Sequence, residues 1–251
     1  MYYKTERSVS ENYIRKKTKI SFLLFFVLIS AGVFGWYSLQ DQPKDAGALK
    51  PLRQGMEMNE WVFKNIFSTQ NLSKTYSKDM AAPKVRVNGD AGLKSAADTA
   101  GWKLRLVRKA GDTSQISLEE IKALPKTEII FDFKCIEGWS QVTHWGGVRF
   151  SDFVKRYGLT PQAAMNYAGL VTPDKEYYVG IDMASMMHPQ TILCYEMNGK
   201  PLPMNQGFPL RLIIPVKYGV KHLKRIGTLF FDNNRPRDYW HEQGYDYYCG
   251  L

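Results

Sequence analysis

The stretch "EIIFDFKCIEGWS" (128–140) decides how the rest of the chain is read. Ile129, Phe131, Phe133 and Cys135 alternate with Ile130, Asp132 and Lys134. A period of two is the signature of a strand, and it sets Cys135 on the same face as three bulky apolar side chains. A carboxylate (Glu137) follows two residues on and an indole (Trp139) four residues on. A lone thiol in that position is packing, a nucleophile, half of a disulfide or a metal ligand.

Working outward, the texture is mixed α+β. "KVRVNGDAGL" and "WKLRLVRKAGD" read as strands and turns. "SLEEIKALP" reads as a helix with Ser117 as N-cap and Glu120 three residues later, a capping box. "RFSDFVKRYGL" is a second helix, closed by Gly158. "KEYYVGID", "TILCYEMNGKPLP", "PLRLIIPVKYG" and "IGTLFF" are strands or hairpin arms, with "NGK" a turn signal. There is no regular βαβ alternation and no internal repeat. The 251 residues suffice for one large core, and 44% hydrophobic with 23% charged residues is ordinary for a globular chain.

The N-terminus differs from the rest. Residues 1–19 carry six cations and two acids. Residues 20–39, "ISFLLFFVLISAGVFGWYSL", carry no charge and end in Trp36 and Tyr37. Twenty uncharged residues match the ~30 Å hydrocarbon core of a bilayer, and the aromatic pair suits the headgroup level. The basic flank ahead of the span places the N-terminus in the cytoplasm and the remainder on the extracytoplasmic side. Residues 40–80 read as a tether, rich in Pro and Gly to residue 55, then an amphipathic helix over 57–70 with Met58, Trp61, Val62 and Ile66 packing on the main domain. The organisation expected is therefore a basic flank (1–19), a transmembrane anchor (20–39), a tether and amphipathic helix (40–80) and a soluble domain (81–251).

Composition then points to an anion. Residues 197–231 hold no Asp or Glu but six cations, Lys200, Arg211, Lys217, Lys221, Lys224 and Arg225. Such a run makes a local field that suits a phosphorylated small molecule, and Lys217, Lys221 and Lys224 are spaced to share a helical face. An extracytoplasmic domain argues against nucleic acid. The three cysteines form no CxxC, so neither a zinc ribbon nor a c-type haem site is indicated, and one disulfide with one leftover thiol is compatible with an oxidising compartment. The four histidines show no metal-site spacing. A cofactor held by the basic run, with Cys135 as thiolate ligand to its metal, would join the two anomalies.

"CIEGWS", "WGGVRFSDFV" and "HPQTILCYEMNGKPLPMNQGFPLRLIIPVKYGVKHLK" resemble, in that order and spacing, the molybdopterin-dependent oxidoreductases of the sulfite oxidase superfamily, in particular its bacterial branch. The likeness runs from about Val85 to Trp240. It implies a sulfite-oxidase-type α+β domain with mixed sheets, preceded by one transmembrane helix, and a molybdopterin cofactor carrying molybdenum. It implies Cys135 as the metal ligand, Arg211 at the pterin or its phosphate, and His222, Leu223 and Lys224 in the phosphate-holding segment. Arg86, Asn88 and Gln206 are expected at the pterin, Glu137 and His144 beside the metal or the substrate. The implied reaction is two-electron oxygen-atom transfer on a small molecule, either reduction of an S-oxide or N-oxide or a sulfite-type oxidation. Electrons would come through a haem-containing membrane or soluble electron-transfer protein, with the enzyme at the cytoplasmic membrane and its soluble domain in the periplasm. The alternative is a catalytically silent anchored module that binds pterin, another anion or a partner protein.

Overall fold

The structure, a computed structural model, describes residues 10–94 and 101–251; residues 1–9 of the basic flank, with Lys4, Glu6 and Arg7, lie outside the described residues. In chain order the elements are α1 (Glu11–Gln40), β1 (Lys44–Asp45), β2 (Ala48–Leu49), α2 (Lys50–Ile66), β3 (Lys103–Lys109), β4 (Asp112–Ser117), α3 (Leu118–Lys122), β5 (Lys126–Lys134), β6 (Ser140–Arg149), α4 (Phe150–Arg156), α5 (Thr160–Ala163), β7 (Tyr167–Val171), β8 (Tyr178–Asp182), α6 (Met183–Met186), β9 (Ile192–Met197), β10 (Lys200–Pro201), β11 (Arg211–Ile213), β12 (Thr228–Asp232) and α7 (Tyr239–Glu242).

Two five-stranded sheets carry the domain. One runs β10-β9-β6-β5 with β11 also paired to β9; the other runs β4-β3-β12-β7-β8. The β12–β3 pair is parallel and its neighbours are antiparallel, so the second sheet is mixed. The expected punctuation is in place. Ser117 and Glu120 form the reciprocal capping box of α3, Gly158 follows α4 with a φ of 64°, and Asn198-Gly199 turns β9 into β10 with both residues at positive φ. The larger core gathers Leu104, Leu106, Leu170, Leu193 and Leu212 from both sheets with Phe150 and Phe153 from α4. A smaller cluster under β5 holds Ile129, Phe131, Trp145, Cys194 and Ile213.

The N-terminal third differs from the sequence reading in its boundaries. α1 extends well beyond the apolar run on its N-terminal side, and none of its described residues is buried. The segment read as a tether folds instead: β1 and β2 pair as a hairpin, and α2 starts at Lys50 with Pro51 in its first turn, where the missing N–H costs nothing. α2 does pack on the domain, but through Arg53 and Glu60, which are buried, while Met58, Trp61, Val62 and Ile66 face outward. The pattern of apolar residues located the helix and inverted its orientation.

The close approach of β6 to β9 depends on Gly147. A methyl group there would sit 2.2 Å from the Leu193 carbonyl oxygen, on a strand backbone that cannot move aside. At the adjacent Gly146 the nearest atoms, the ends of the Glu196 and Lys126 side chains at 3.1 Å, can swing away, and the Glu196 Cβ at 3.2 Å asks for a shift of only a few tenths of an ångström. Gly147→Ala is expected to cost at least ~2 kcal/mol and Gly146→Ala well under half of that. Equal urea midpoints for the two variants would contradict this account of the sheet.

Candidate active site

β5 and β6 are joined by a short turn, and Cys135 is its first residue. The Cys135 N–H donates to the Trp139 carbonyl (2.9 Å), the Gly138 N–H donates back to the Cys135 carbonyl (3.0 Å), and Gly138 takes a φ of 86° to close it. The turn holds the thiol at 5% exposure, on the inward face that the period-two pattern indicated. Asn88 Nδ2 donates to its sulfur at 3.4 Å. The same turn presents Glu137 to solvent, with Trp139 Nε1 donating to its carboxylate (3.2 Å). Bonds from Asn88 and Trp139 hold Glu137 below the ordinary carboxylate pKa.

Cys135 lies in the wall of a cavity of about 250 Å³ lined also by Arg86, Asn88, Glu137, Trp139, Trp145, Gln206, Arg211, His222 and Lys224. Eight of the ten residues expected at the site thus come together from four separate stretches of chain. Hydrogen bonds knit them. Gln206 Nε2 donates to the Arg86 carbonyl (3.2 Å), Arg211 Nη1 donates to Gln206 Oε1 (2.9 Å), and Arg211 Nη2 donates to the His222 carbonyl (3.3 Å). Lys224 Nζ donates to the Asn88 and Gly89 carbonyls. The 85–89 segment is therefore tied to the thiol, the amide and the lysine together.

Two expected residues stand apart. Leu223 is fully buried in the main core, so its side chain contributes packing, as an aliphatic group in this environment must. His144 lies on β6 opposite Ile130, buried, with Nε2 3.6 Å from Glu128 and outside the cavity lining. The period of two explains this: Gln141, Thr143 and Trp145, on the opposite face of the strand, are the β6 residues that reach the cavity.

The cationic run also resolves differently from its sequence reading. Between Lys217 and Lys224 the helical structure is a three-residue 3₁₀ turn, Gly219–Lys221, so these lysines share no helical face. Lys217 is buried against Asp182 (2.8 Å) and Lys221 against Asp238 (2.5 Å). These carboxylates come from β8 and from the segment before α7, outside the acid-free stretch. Two of the six cations are thus neutralised internally, and the cations lining the cavity are Arg211 and Lys224 from the run and Arg86 from outside it.

Arg211 is 2% exposed, with its guanidinium over the Trp145 ring at 4.6 Å. Its Nε has no hydrogen-bond partner. Burial pushes its pKa down to about 10, and burial with the nearby Arg211 charge pushes Lys224 down to about 8. Each shift reflects the cost of holding a positive charge away from water. His222 is structural in its side chain. Nδ1 accepts from the Ile214 N–H (3.4 Å), and Nε2 sits 3.1 Å from the Lys217 carbonyl as a donor. Both nitrogens are used by the neutral ring, and burial beside Arg211 pushes the pKa to about 3. Residues beyond the sequence reading complete the wall: Phe133, Tyr177, Val220, Trp240 and Tyr245. The aromatic-rich tail "YWHEQGYDYY" (239–248) was the available signal for the last two. The cysteines are all free thiols and buried. Burial pushes the Cys194 and Cys249 thiols up to about 12.

A buried thiol, an under-coordinated buried guanidinium and a second cation around one cavity fit a phosphorylated cofactor that brings its own soft metal. The family described as "Oxidoreductase molybdopterin binding domain" matches residues 91–240. The chain belongs to that family, as a molybdopterin-dependent enzyme of the sulfite oxidase superfamily. It is 35% identical over 188 residues to the "Putative protein-methionine-sulfoxide reductase subunit YedZ1" of Azospira oryzae, covering 74% of this chain and 70% of that one. It is 32% identical over 154 residues to the protein-methionine-sulfoxide reductase catalytic subunit MsrP of Xanthomonas campestris pv. campestris, covering 56% of this chain and 48% of that one. The MsrP of Campylobacter jejuni is 30% identical over 157 residues, covering 57% and 53%. The chain thus spans about half the length of these two catalytic subunits. In fold it resembles the sulfane dehydrogenase SoxCD of Paracoccus pantotrophus, with a TM-score of 0.50 at 16% identity over 56% of this chain and 40% of that one.

The neutral state of His222 gives a pH prediction. Its folded pKa is depressed from 6.5 to about 3, so the unfolded chain takes up a proton that the folded chain refuses. The stability it supports is full above pH 6.5 and is lost as pH falls toward 3. Between those limits the unfolding free energy of the wild type should fall more steeply than that of His222→Gln, by up to ~1.4 kcal/mol per pH unit. Parallel slopes in denaturant titrations would contradict it.

Proposed function

We propose that the chain is a membrane-anchored oxidoreductase that transfers an oxygen atom and two electrons to or from a small substrate, with S-oxide reduction the favoured direction, and that Cys135 is the protein ligand of its molybdenum. The observation that carries this reading is the placement of the buried Cys135 thiol in the same cavity wall as Arg211, whose Nε is unpartnered. The favoured direction rests on the relatives named for methionine-sulfoxide reduction.

When bound, the cofactor supplies a metal that cycles between oxidation states and exchanges an oxygen atom. The chain's own residues bind and orient it. Cys135 offers a thiolate from a tight turn, with Asn88 donating to the sulfur and fixing its direction. Arg211 and Lys224 meet the anionic groups, Arg211 through the unused Nε–H. Gln206 holds both Arg211 and the Arg86 backbone, so the cation cannot turn away. Glu137, exposed and ionised beside Trp139, stands at the open side, where it would meet a substrate or a proton. Trp139, Trp240 and Tyr245 supply apolar surface for the substrate and limit water.

α1 would span the bilayer, with Arg15, Lys16, Lys17 and Lys19 on the cytoplasmic side and the domain beyond it in the periplasm. A haem-containing electron-transfer protein, in the membrane or soluble, would deliver the electrons. Anchoring raises the effective concentration of enzyme at a membrane-held donor.

The test is molybdenum content and S-oxide, N-oxide and sulfite activity on one purified sample. Wild type is expected to hold about one molybdenum per chain and to reduce S-oxides. Cys135→Ser should keep its fold and lose the thiolate-to-metal charge-transfer absorption together with at least ~10³-fold in turnover. A variant with its absorption band and turnover intact would overturn the ligand assignment.

A further inference from the structure

Amphipathic helices on soluble domains turn their apolar stripe to the core; α2 does the reverse. Its charged residues, Lys50, Arg53, Glu57, Glu60 and Lys64, fall within one sector of about 80° at 3.6 residues per turn. That sector meets the domain. Arg53 Nη2 donates to the Ala46 (2.8 Å) and His241 (3.1 Å) carbonyls and Nη1 to the Tyr245 carbonyl (2.8 Å). Glu60 pairs with Arg235 (2.8 Å) and Lys64 (2.7 Å). The opposite arc of about 200° carries no charge and presents Leu52, Met58, Trp61, Val62 and Ile66, exposed by 59%, 63%, 67%, 41% and 64%.

The chain also says what lies near that face. α1 ends at Gln40. The connection folds back as a hairpin, Lys44 opposite Leu49 and Asp45 opposite Ala48, and the first residue of α2, Lys50, donates to the Pro43 carbonyl at 3.0 Å. The start of α2 is therefore held to a point three residues beyond the end of α1, a reach of at most about 11 Å. Trp36 and Tyr37, at the far end of the apolar run, mark the headgroup level for a spanning α1.

We propose that α2 is an interfacial helix whose uncharged face lies in the headgroup region of the same bilayer that α1 spans. The inference rests on the anchoring reading given above. It converts a domain on a leash into a domain seated on lipid. The seat is coupled to the site: Arg53 grips the carbonyls of His241 and Tyr245, and Tyr245 and its neighbour Trp240 form part of the cavity wall. The cavity is thus held at a fixed height and angle over the membrane, as exchange with a membrane-held electron donor requires. A helix of this type places its apolar side chains about 5–10 Å into the boundary between headgroups and acyl chains.

The experiment uses the cofactor-loaded chain reconstituted alone in vesicles of phosphatidylethanolamine and phosphatidylglycerol. A nitroxide is attached in turn at Ile66→Cys or Val62→Cys on the exposed face, at Leu28→Cys within α1, and at Lys122→Cys on the exposed side of α3. The unsubstituted chain, labelled in parallel, gives the background from the native thiols. Collision rates with oxygen, which enters lipid, are compared with those of a nickel chelate, which does not. The inference predicts an oxygen-to-nickel ratio at residues 62 and 66 several-fold above that at 122. If 62 and 66 match 122 while 28 reports lipid, the anchor stands and the interfacial helix is overturned, leaving that face to a protein partner. If 28 also reports water, the anchoring reading fails and this inference falls with it.

Discussion

The site is organised by one buried charge without a counter-charge. Arg211 sits in the core of the domain at the start of β11, over Trp145, and no carboxylate pairs with it among the described residues. Burying an unpaired cation costs several kcal/mol, and the protein meets part of that cost with carbonyl and amide oxygens. Gln206 supplies two of these and His222 one. What the protein does not supply is an anion. The remaining N–H and the unbalanced charge are the features on which the proposed binding of an anionic cofactor rests, with the nearby thiol as the proposed ligand of its metal.

Lys217 and Lys221 show the contrast. They come from the same cationic run, yet each is paired to an aspartate from another part of the chain. Arg211 and Lys224, which line the cavity, form no ion pair with a carboxylate among the described residues. The two lysine–aspartate pairs also brace the 217–224 segment against β8 and the C-terminal tail, and so hold Lys224 at the cavity edge. His222 does the same from inside the segment, a neutral ring bonded at both nitrogens, whose use is to keep the backbone in place beneath Arg211.

Several local patterns in the sequence carry through to the structure, though the spacing of Lys217, Lys221 and Lys224 gives no helix and the tether folds. The alternation of Ile129, Phe131, Phe133 and Cys135 set the thiol inward, the Ser117–Glu120 box began a helix, and Asn198-Gly199 made a hairpin. The family resemblance added which separate stretches would meet, and eight residues from 86 to 224 do line one cavity. What was not legible depended on long-range partners. No local signal shows that Asp182 and Asp238 will neutralise two lysines, or that His144 lies on the face of β6 turned from the cavity. The apolar periodicity of α2 marked a helix but not its orientation, because amphipathicity is the same whether the apolar side meets a core or a bilayer. The aromatic tail was visible as composition, but its place at the cavity required the fold.

The central claim is that Arg211 is kept for an anionic cofactor and not for the stability of the empty domain. The direct measurement pairs unfolding free energy of the cofactor-free chain with pterin occupancy of the loaded chain, for wild type and Arg211→Met. Methionine removes a costly buried charge while filling much of the same volume, so the cofactor-free stability is predicted to rise or to fall by less than about 2 kcal/mol, while pterin occupancy drops at least tenfold. Full occupancy in the variant would contradict the account.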